Sequence, residues 1–201
     1  MNRAQDETSD ALLAAAHHLL STVGAEALTV RRIANEAGMS TMNVYSRFGG
    51  KDGVIDELYA DGYRRLVERL EAVPVTHDPQ IDIIAITDAY REFALANPTY
   101  YGVMFRSSIP GFVPSPDSLQ VAVGLLQSMV DRIESAQGEG RVANDLEPYE
   151  VAAWIWATCH GLVSLELDGV GDELINWPTI WEKGIRQAVT VLRPAEAPTA
   201  G

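Results

Sequence analysis

Residues 29–51 read TVRRIANEAGMSTMNVYSRFGGK, and the reading of this stretch decides the fold. Thr29 is a good helix N-cap. Val30, Ile33, Ala34 and Ala37 follow it at i, i+3, i+4 and i+7, the stripe of a helix with one buried face. Gly38 supplies a turn, where a positive φ costs a glycine little. Ser40 is the expected N-cap of a second short helix, with Val44 and Phe48 turned inward. That leaves Thr41, Met42, Asn43, Tyr45, Ser46 and Arg47 facing outward, and Gly49-Gly50 breaks the chain again. Two short helices joined by a tight turn, the second with a polar outer face, suit a helix pressed into the major groove of DNA. In that pose Asn43 can pair bidentately with adenine, and Met42 or the Thr41 methyl can touch a thymine methyl. Tyr45, Arg47 and Lys51 can donate to phosphates, which fixes register rather than sequence. Arg31 stands at the start of the first helix, close enough to meet the backbone. The same spacing also serves plain helical bundles, whose basic residues beside a turn are merely solvated.

Total charge opposes DNA binding, because the chain carries a net −13. The distribution answers this. Residues 1–71 hold eight Lys and Arg against eleven Asp and Glu, and residues 72–201 hold seven against seventeen. Within 29–51, Arg31, Arg32, Arg47 and Lys51 face Glu36 alone. Phosphate attraction decays over about 8 Å at physiological salt, so the local patch outweighs the total. Weak non-specific affinity and strong salt sensitivity are expected.

A hydrophobic share of 47% and a charged share of 21% are those of a globular chain with a sizeable core. No apolar run is long enough for a membrane-spanning helix. The N-terminal MNRAQDETSD lacks the apolar centre of a secretion signal. The single cysteine, Cys159, cannot form an intrachain disulfide or a Cys-based zinc site. A cytoplasmic protein without membrane contact is expected.

Helical periodicity runs almost throughout, and no segment alternates like a half-buried strand. Helices are expected over about 8–23, 30–37, 41–48, 51–73, 81–96, 98–106, 117–137, 148–167 and 177–193. Pro74 and the polar residues around Pro79 mark a boundary, and SSIPGFVPSP (107–116) reads as a long loop. The fold class is all-α. Residues 1–50 form a three-helix helix-turn-helix DNA-binding domain and 51–73 a connecting helix. Residues 74–193 form a second helical domain, and 194–201 a disordered tail.

The pattern Thr29-x-x-x-Ile33-Ala34-x-x-Ala37-Gly38-x-Ser40-x-x-x-Val44-Tyr45-x-x-Phe48-x-x-Lys51 resembles the N-terminal domain of tetracycline-repressor (TetR) family regulators. The resemblance covers the first four helices, and many residue types and spacings agree together. It implies a ligand-responsive DNA-binding regulator, most often a repressor, with 74–193 as its ligand-binding and dimerisation domain, that acts as a homodimer on double-stranded DNA with a palindromic operator. Position by position, Thr29 and Arg31 fall where the second helix meets DNA. Thr41, Met42 and Asn43 fall at base-reading positions, and Tyr45, Arg47 and Lys51 at phosphate positions. Two departures stand out. Gly49-Gly50 replaces the polar cap usual before the lysine, and Gly53 sits in the first turn of the next helix. A helical Gly costs about 1 kcal/mol relative to Ala, so a looser junction is expected there.

Trp156, His160 and Gly161 resemble the Trp-His-Gly signature of one class of TetR-like C-terminal domains. Trp156 and His160 share a helical face. His160 is read two ways: it lines a ligand cavity or subunit contact, or it is a core histidine packed on Trp156. In the family these helices enclose a small-molecule cavity, which places Tyr90, Phe93, Tyr101, Met104, Phe105, Leu125, Met129, Trp156 and His160 as candidate lining. Adaptable Met and aromatic side chains suit an apolar effector, and plain core packing is the alternative for each. Arg91 and Arg106 are candidates to pair with an acidic ligand or to form exposed salt bridges. The last two helices carry more apolar surface than one subunit needs. Trp154, Ile155, Leu162 and Leu165, with Trp177, Trp181, Ile185 and Ala188, are expected to build a four-helix interface with a second copy.

No Ser/His/Asp grouping, glycine-rich phosphate loop or paired carboxylates appear, so no catalysis is expected. No cofactor is expected, and His17, His18 and His77 lack the spacing to join His160 around a metal. The other reading kept open is a helical binding or adaptor protein of the same fold without DNA affinity.

Overall fold

Proline sets where the C-terminal helices begin. Pro79, Pro98, Pro116 and Pro148 each occupy the first position of a helix, and Pro178 the second position of another. At those places the missing N–H has no intrahelical acceptor to lose, and the fixed φ is already helical. The computed structural model describes residues 3–76, 78–106 and 108–192. The expected tail at 194–201 and His77 lie outside the described residues. Nine α-helices and no strand occur among the described residues, in agreement with the all-α reading. They are α1 (Arg3–Thr22), α2 (Val30–Glu36), α3 (Thr41–Phe48), α4 (Lys51–Glu71), α5 (Pro79–Ala96), α6 (Pro98–Phe105), α7 (Pro116–Gly138), α8 (Pro148–Leu167) and α9 (Trp177–Ala188). Single 3₁₀ turns follow α1 and α9. None of these helices is long and apolar enough to cross a membrane.

Two differences from expectation have local causes. Pro79 opens α5 rather than sitting in a linker, because the Asp78 carboxylate accepts from the Gln80 and Ile81 amides at 2.9 and 3.2 Å. The Thr76 amide is in turn fixed by the Asp82 carboxylate at 2.7 Å. Helix α1 starts at Arg3, earlier than the apolar stripe predicts, since a polar first turn contributes no hydrophobic periodicity.

The chain divides into two compact units: Met1–Arg65 with Asn97–Ala122, and Leu66–Ala96 with Val123–Gly201. The first therefore holds α6 and the start of α7 beside α1–α3, a grouping that cuts across the expected boundary at residue 74. Its core is built from Leu12, Ala16, Ile33, Ala34, Val44, Val54, Ile55 and Leu58, all essentially inaccessible. The second unit buries Ile83, Tyr90 and Phe93 of α5, Val130 and Ile133 of α7, Val151, Ile155 and Val163 of α8, and Trp181 and Ile185 of α9.

Helix α4 anchors the first unit through two carboxylates that the sequence reading did not single out. Asp56 accepts from the Ser115 amide (2.8 Å), the Ser115 hydroxyl (2.7 Å) and the Ser118 hydroxyl (2.9 Å), which fixes the start of α7. Asp61 accepts from the Tyr100 hydroxyl of α6 at 2.6 Å and from Arg65 Nε at 2.7 Å. Burial alone would raise the Asp61 carboxyl, but the Tyr100 and Arg65 hydrogen bonds outweigh it and hold the group below its ordinary range. Burial, together with the bond to Asp61, pushes the Tyr100 phenol up to about 12.

The His17 ring of α1 lies on the Tyr100 ring, with centroids 4.6 Å apart. Burial, then the nearby Arg65 charge, lowers its pKa below 6.5. As pH falls below that value, the unfolded chain takes up a proton that the folded chain resists. Stability from this group is therefore full above about pH 6.5 and declines below it. The thermal midpoint is expected to drop between about pH 7.5 and about pH 5.5, and to drop less in His17→Phe, which keeps a ring but no titrating group. An equal drop in both proteins would contradict the assignment.

Candidate nucleic-acid interface

Thr29 caps α2 in the manner the sequence predicts. Its backbone is extended, and its hydroxyl accepts from the Arg32 amide at 3.3 Å. Gly38, at φ 65°, ends the helix, and the Met39 amide closes back on the Ala34 carbonyl at 2.8 Å. The chain is then aimed into α3, whose Val44 is fully buried. Gly49 follows α3 in the left-handed conformation, its amide bound to the Tyr45 carbonyl at 3.0 Å. Gly50 also has a positive φ, 145°. The Gly-Gly pair that departs from the family pattern thus occupies two positions that disfavour side chains.

Gly53 has a different reason. A Cβ built on it would lie 1.8 Å from the Phe48 carbonyl oxygen and 2.8 Å from its carbon. The end of α3 rests directly on the first turn of α4, and only a residue without a side chain allows it. The expected loose junction is a close backbone contact.

The outer face of α3 is exposed at Thr41, Met42, Tyr45 and Ser46. Met42 is 71% exposed and Tyr45 56%. Arg31 and Arg32 on α2 and Lys51 at the start of α4 are exposed as well. Three details differ from expectation. Ser40 precedes α3 with the extended backbone of an N-cap, but its hydroxyl makes no capping bond to the helix. Instead it accepts from the Asn43 side-chain Nδ2 at 3.4 Å. Asn43 and Arg47, expected outside, are half-buried, and Arg47 Nη1 donates to Asn43 Oδ1 at 3.2 Å. Both polar atoms of the Asn43 side-chain amide are therefore engaged, Nδ2 by Ser40 just before α3 and Oδ1 by Arg47 on it.

This geometry comes with matching relatives. Residues 12–58 match the family model of bacterial regulatory proteins, tetR family. Residues 83–187 match the tetracyclin repressor-like C-terminal domain, which alone spans half of the chain. The chain belongs to the TetR family. It is a DNA-binding transcriptional regulator of the helix-turn-helix type. An HTH-type transcriptional regulator of Mycobacterium tuberculosis is 27% identical over 199 residues, covering 84% of this chain and 85% of the relative. A regulatory protein of known crystal structure superposes with a TM-score of 0.78 at 25% identity, covering 94% and 98% of the two chains. A tetR family transcription regulator from Shewanella sp. PV-4 superposes at 0.68 with 21% identity, covering 92% and 95%, and shares the fold.

The effector residues expected of a TetR protein fall into two groups. In the first unit Tyr101 is fully buried and packs tilted against Phe105 with centroids 5.0 Å apart, while Phe105 meets Tyr63 of α4 edge-on at 5.4 Å. Met104 fills the space over Gly62 of α4, where an added Cβ would come within 2.7 Å of its sulfur. In the second unit Tyr90 and Phe93 are buried, and Leu125, Met129 and His160 half-buried. The Tyr90 hydroxyl lies 3.2 Å from His160 Nδ1, and the Trp156 ring is tilted against His160 at 5.5 Å. Arg91, a candidate for an acidic ligand, is committed elsewhere: its Nε and Nη2 reach Glu166 at 2.8 and 2.5 Å. The bonds to Glu166 raise the Arg91 pKa further.

The expected dimer surface needs correction. Ile155, Trp177, Trp181, Ile185 and Ala188 are all 8% exposed or less within one chain. Helices α8 and α9 turn these side chains into the core of the second unit, so they are not available to a second copy. Leu162 is half-buried against Gly184, where its Cδ1 would lie 2.8 Å from an added Cβ. Trp154, at 59%, and Leu165, at 45%, do face outward. Ala157 and Gly161 lie between them on the same exposed stripe of α8, and Ile180 of α9 is 41% exposed.

Proposed function

We propose that this regulator is a homodimeric, ligand-released repressor that acts in the cytoplasm and reads a palindromic operator with two copies of α3. The observation that carries the DNA-reading part is the exposure of Thr41 and Met42 in the first turn of α3, flanked by cations at Arg31, Arg32 and Lys51. A large apolar side chain left 71% in water has little role in the free chain, and a thymine methyl is a suitable partner for it. Thr29, Arg31, Ser40, Tyr45 and Lys51 then meet phosphates and set the register.

Dimerisation would use the outward band of α8, Trp154, Ala157, Gly161 and Leu165, with Ile180 of α9. Small residues between large ones let two helices approach closely. Pairing doubles the contacts of a helix too short to specify a site alone, on half-sites about 34–36 Å apart. A small, largely apolar effector would be held in the second unit by Tyr90, Phe93, Leu125, Met129, Trp156 and His160. Tyr101, Met104 and Phe105, already packed on α4, would keep that helix in place. The effector acts only through its preference for the non-binding state. A switch from 1:99 to 99:1 needs about a 10⁴-fold preference.

Gel shifts with selected operator DNA test this. Lys51→Ala and Tyr45→Phe are expected to weaken binding about three- to tenfold each, alike on cognate and unrelated sequences, because phosphate contacts carry no sequence information. Unchanged affinity in both variants would remove the assignment of α3 and Lys51 as the DNA-facing surface.

A further inference from the structure

Asn43 has the residue type of a base reader, but its surroundings fit another role. A bidentate contact with adenine uses the amide oxygen as acceptor and the amide nitrogen as donor. Here Oδ1 already accepts from Arg47 Nη1 at 3.2 Å, and Nδ2 donates to Ser40 Oγ at 3.4 Å. Each atom keeps a second hydrogen-bonding position, but an amide held by Arg47 on one side and Ser40 on the other cannot turn freely into the plane of a base, so a bidentate contact would disturb bonds already made.

Arg47 explains why the arrangement is useful. Among the described residues its guanidinium is held by neutral groups only, Asn43 Oδ1 and, at 3.4 Å, Ser46 Oγ. Arg64, Arg65, Arg69, Arg91, Arg141 and Arg186 all sit instead against carboxylates. In a chain of net −13, Arg47 keeps an uncancelled charge and yet is oriented. Its Nε is covered and makes no hydrogen bond among the described residues, so the bonds from Nη1 set the orientation of the guanidinium. Helical side chains lean toward the N-terminus, so the relay from Arg47 through Asn43 to Ser40 directs the cation toward the first turn of α3.

We propose that Asn43 is a positioning residue: it holds Arg47 without neutralising it, so that the guanidinium meets a DNA phosphate beside the α3 N-terminus, and base identity is read by Thr41 and Met42 instead. This rests on the reading of α3 as the DNA-facing helix.

The test is a random-sequence DNA selection with the full-length chain, followed by affinity measurements on the selected site. The variants are Asn43→Ala, Asn43→Asp, Arg47→Ala and Asn43→Ala/Arg47→Ala, each checked for an unchanged melting temperature. Arg47→Ala is expected to lose about tenfold in affinity, the scale of one charged hydrogen bond, and to flatten the salt dependence. Asn43→Ala is expected to lose about threefold or more with base preferences unchanged, and the double variant to match Arg47→Ala within about twofold. Asn43→Asp is expected to bind more weakly than Asn43→Ala, because a carboxylate holds the guanidinium but cancels its charge. Altered base preference in Asn43→Ala, or losses that multiply in the double variant, would overturn the positioning role while leaving α3 as the reader. Failure of the native chain to enrich any sequence would overturn both.

Discussion

Gly53→Ala is expected to lose operator binding altogether, through the fold of the DNA-binding head rather than any contact with DNA. Its Cβ would sit 1.8 Å from the Phe48 carbonyl oxygen, and the obstructing atom is backbone, not the end of a flexible side chain. Relief requires α3 and α4 to separate where Phe48, Gly49 and Gly50 connect them. Overpacking of this kind costs about 3 kcal/mol, at the upper end of what single substitutions do. Gly124→Ala is the matched control. It too is helical, but its added Cβ meets nothing within 4 Å. There the change should stabilise by up to about 1 kcal/mol through helix propensity. Denaturant titrations of the two variants are expected to move in opposite directions. A Gly53→Ala protein as stable as Gly124→Ala would mean that α3 does not rest on α4 as described.

The second large effect is expected at Glu166→Ala. Glu166 and Arg91 form a two-point ion pair with side chains only 14% and 19% exposed. Arg91 also lies over the Trp181 ring at 5.6 Å, and Trp181 Nε1 donates to Asp88 at 2.7 Å. Residues of α5, α8 and α9 thus meet in one network. Removing the carboxylate leaves a largely buried guanidinium uncompensated, a loss of about 2–3 kcal/mol. Replacing both members with leucine should cost less than the single change, because no orphaned charge remains. Urea midpoints for Glu166→Ala and for Arg91→Leu/Glu166→Leu settle the order. A double variant less stable than the single one would show that the pair itself, not the avoidance of a buried charge, supports the second unit.

Local signals carried the helices and the DNA-reading motif into view. Thr29 as a cap, Gly38 as a turn and the Ile33, Ala34 and Val44 stripe depend on neighbours a few residues away, and the structure follows them. Proline at helix starts is equally local. What the sequence hid depends on which surfaces meet. Helix α8 is apolar on two faces, and periodicity cannot say which one a single chain buries. The structure buries Val151, Ile155, Cys159 and Val163 and exposes Trp154, Ala157, Gly161 and Leu165. That is why Ile155 was expected at an interface and proves to be core; α9 has a single apolar face, with Trp177, Trp181 and Ile185, and periodicity cannot say whether it meets the same chain or a second copy. Burial also pushes the Cys159 thiol up to about 12, as befits a packed rather than reactive cysteine. Gly53 looked like a weakness because its cost is visible in propensity, while the Phe48 carbonyl that demands it is not. Asp56 and Asp61 gave no sign of their partners on α6 and α7, since a hydrogen bond across about 40 or more positions leaves no spacing to read.

A selection from random double-stranded DNA, run with the untagged full-length chain at about 0.1–0.15 M salt, tests the central claim most directly. The account predicts enrichment of an inverted repeat whose half-site centres lie about one helical turn apart, bound by two chains and lost in Gly53→Ala. A pool that stays random, with the chain folded and dimeric, would contradict it and leave a protein that keeps the TetR fold without reading DNA.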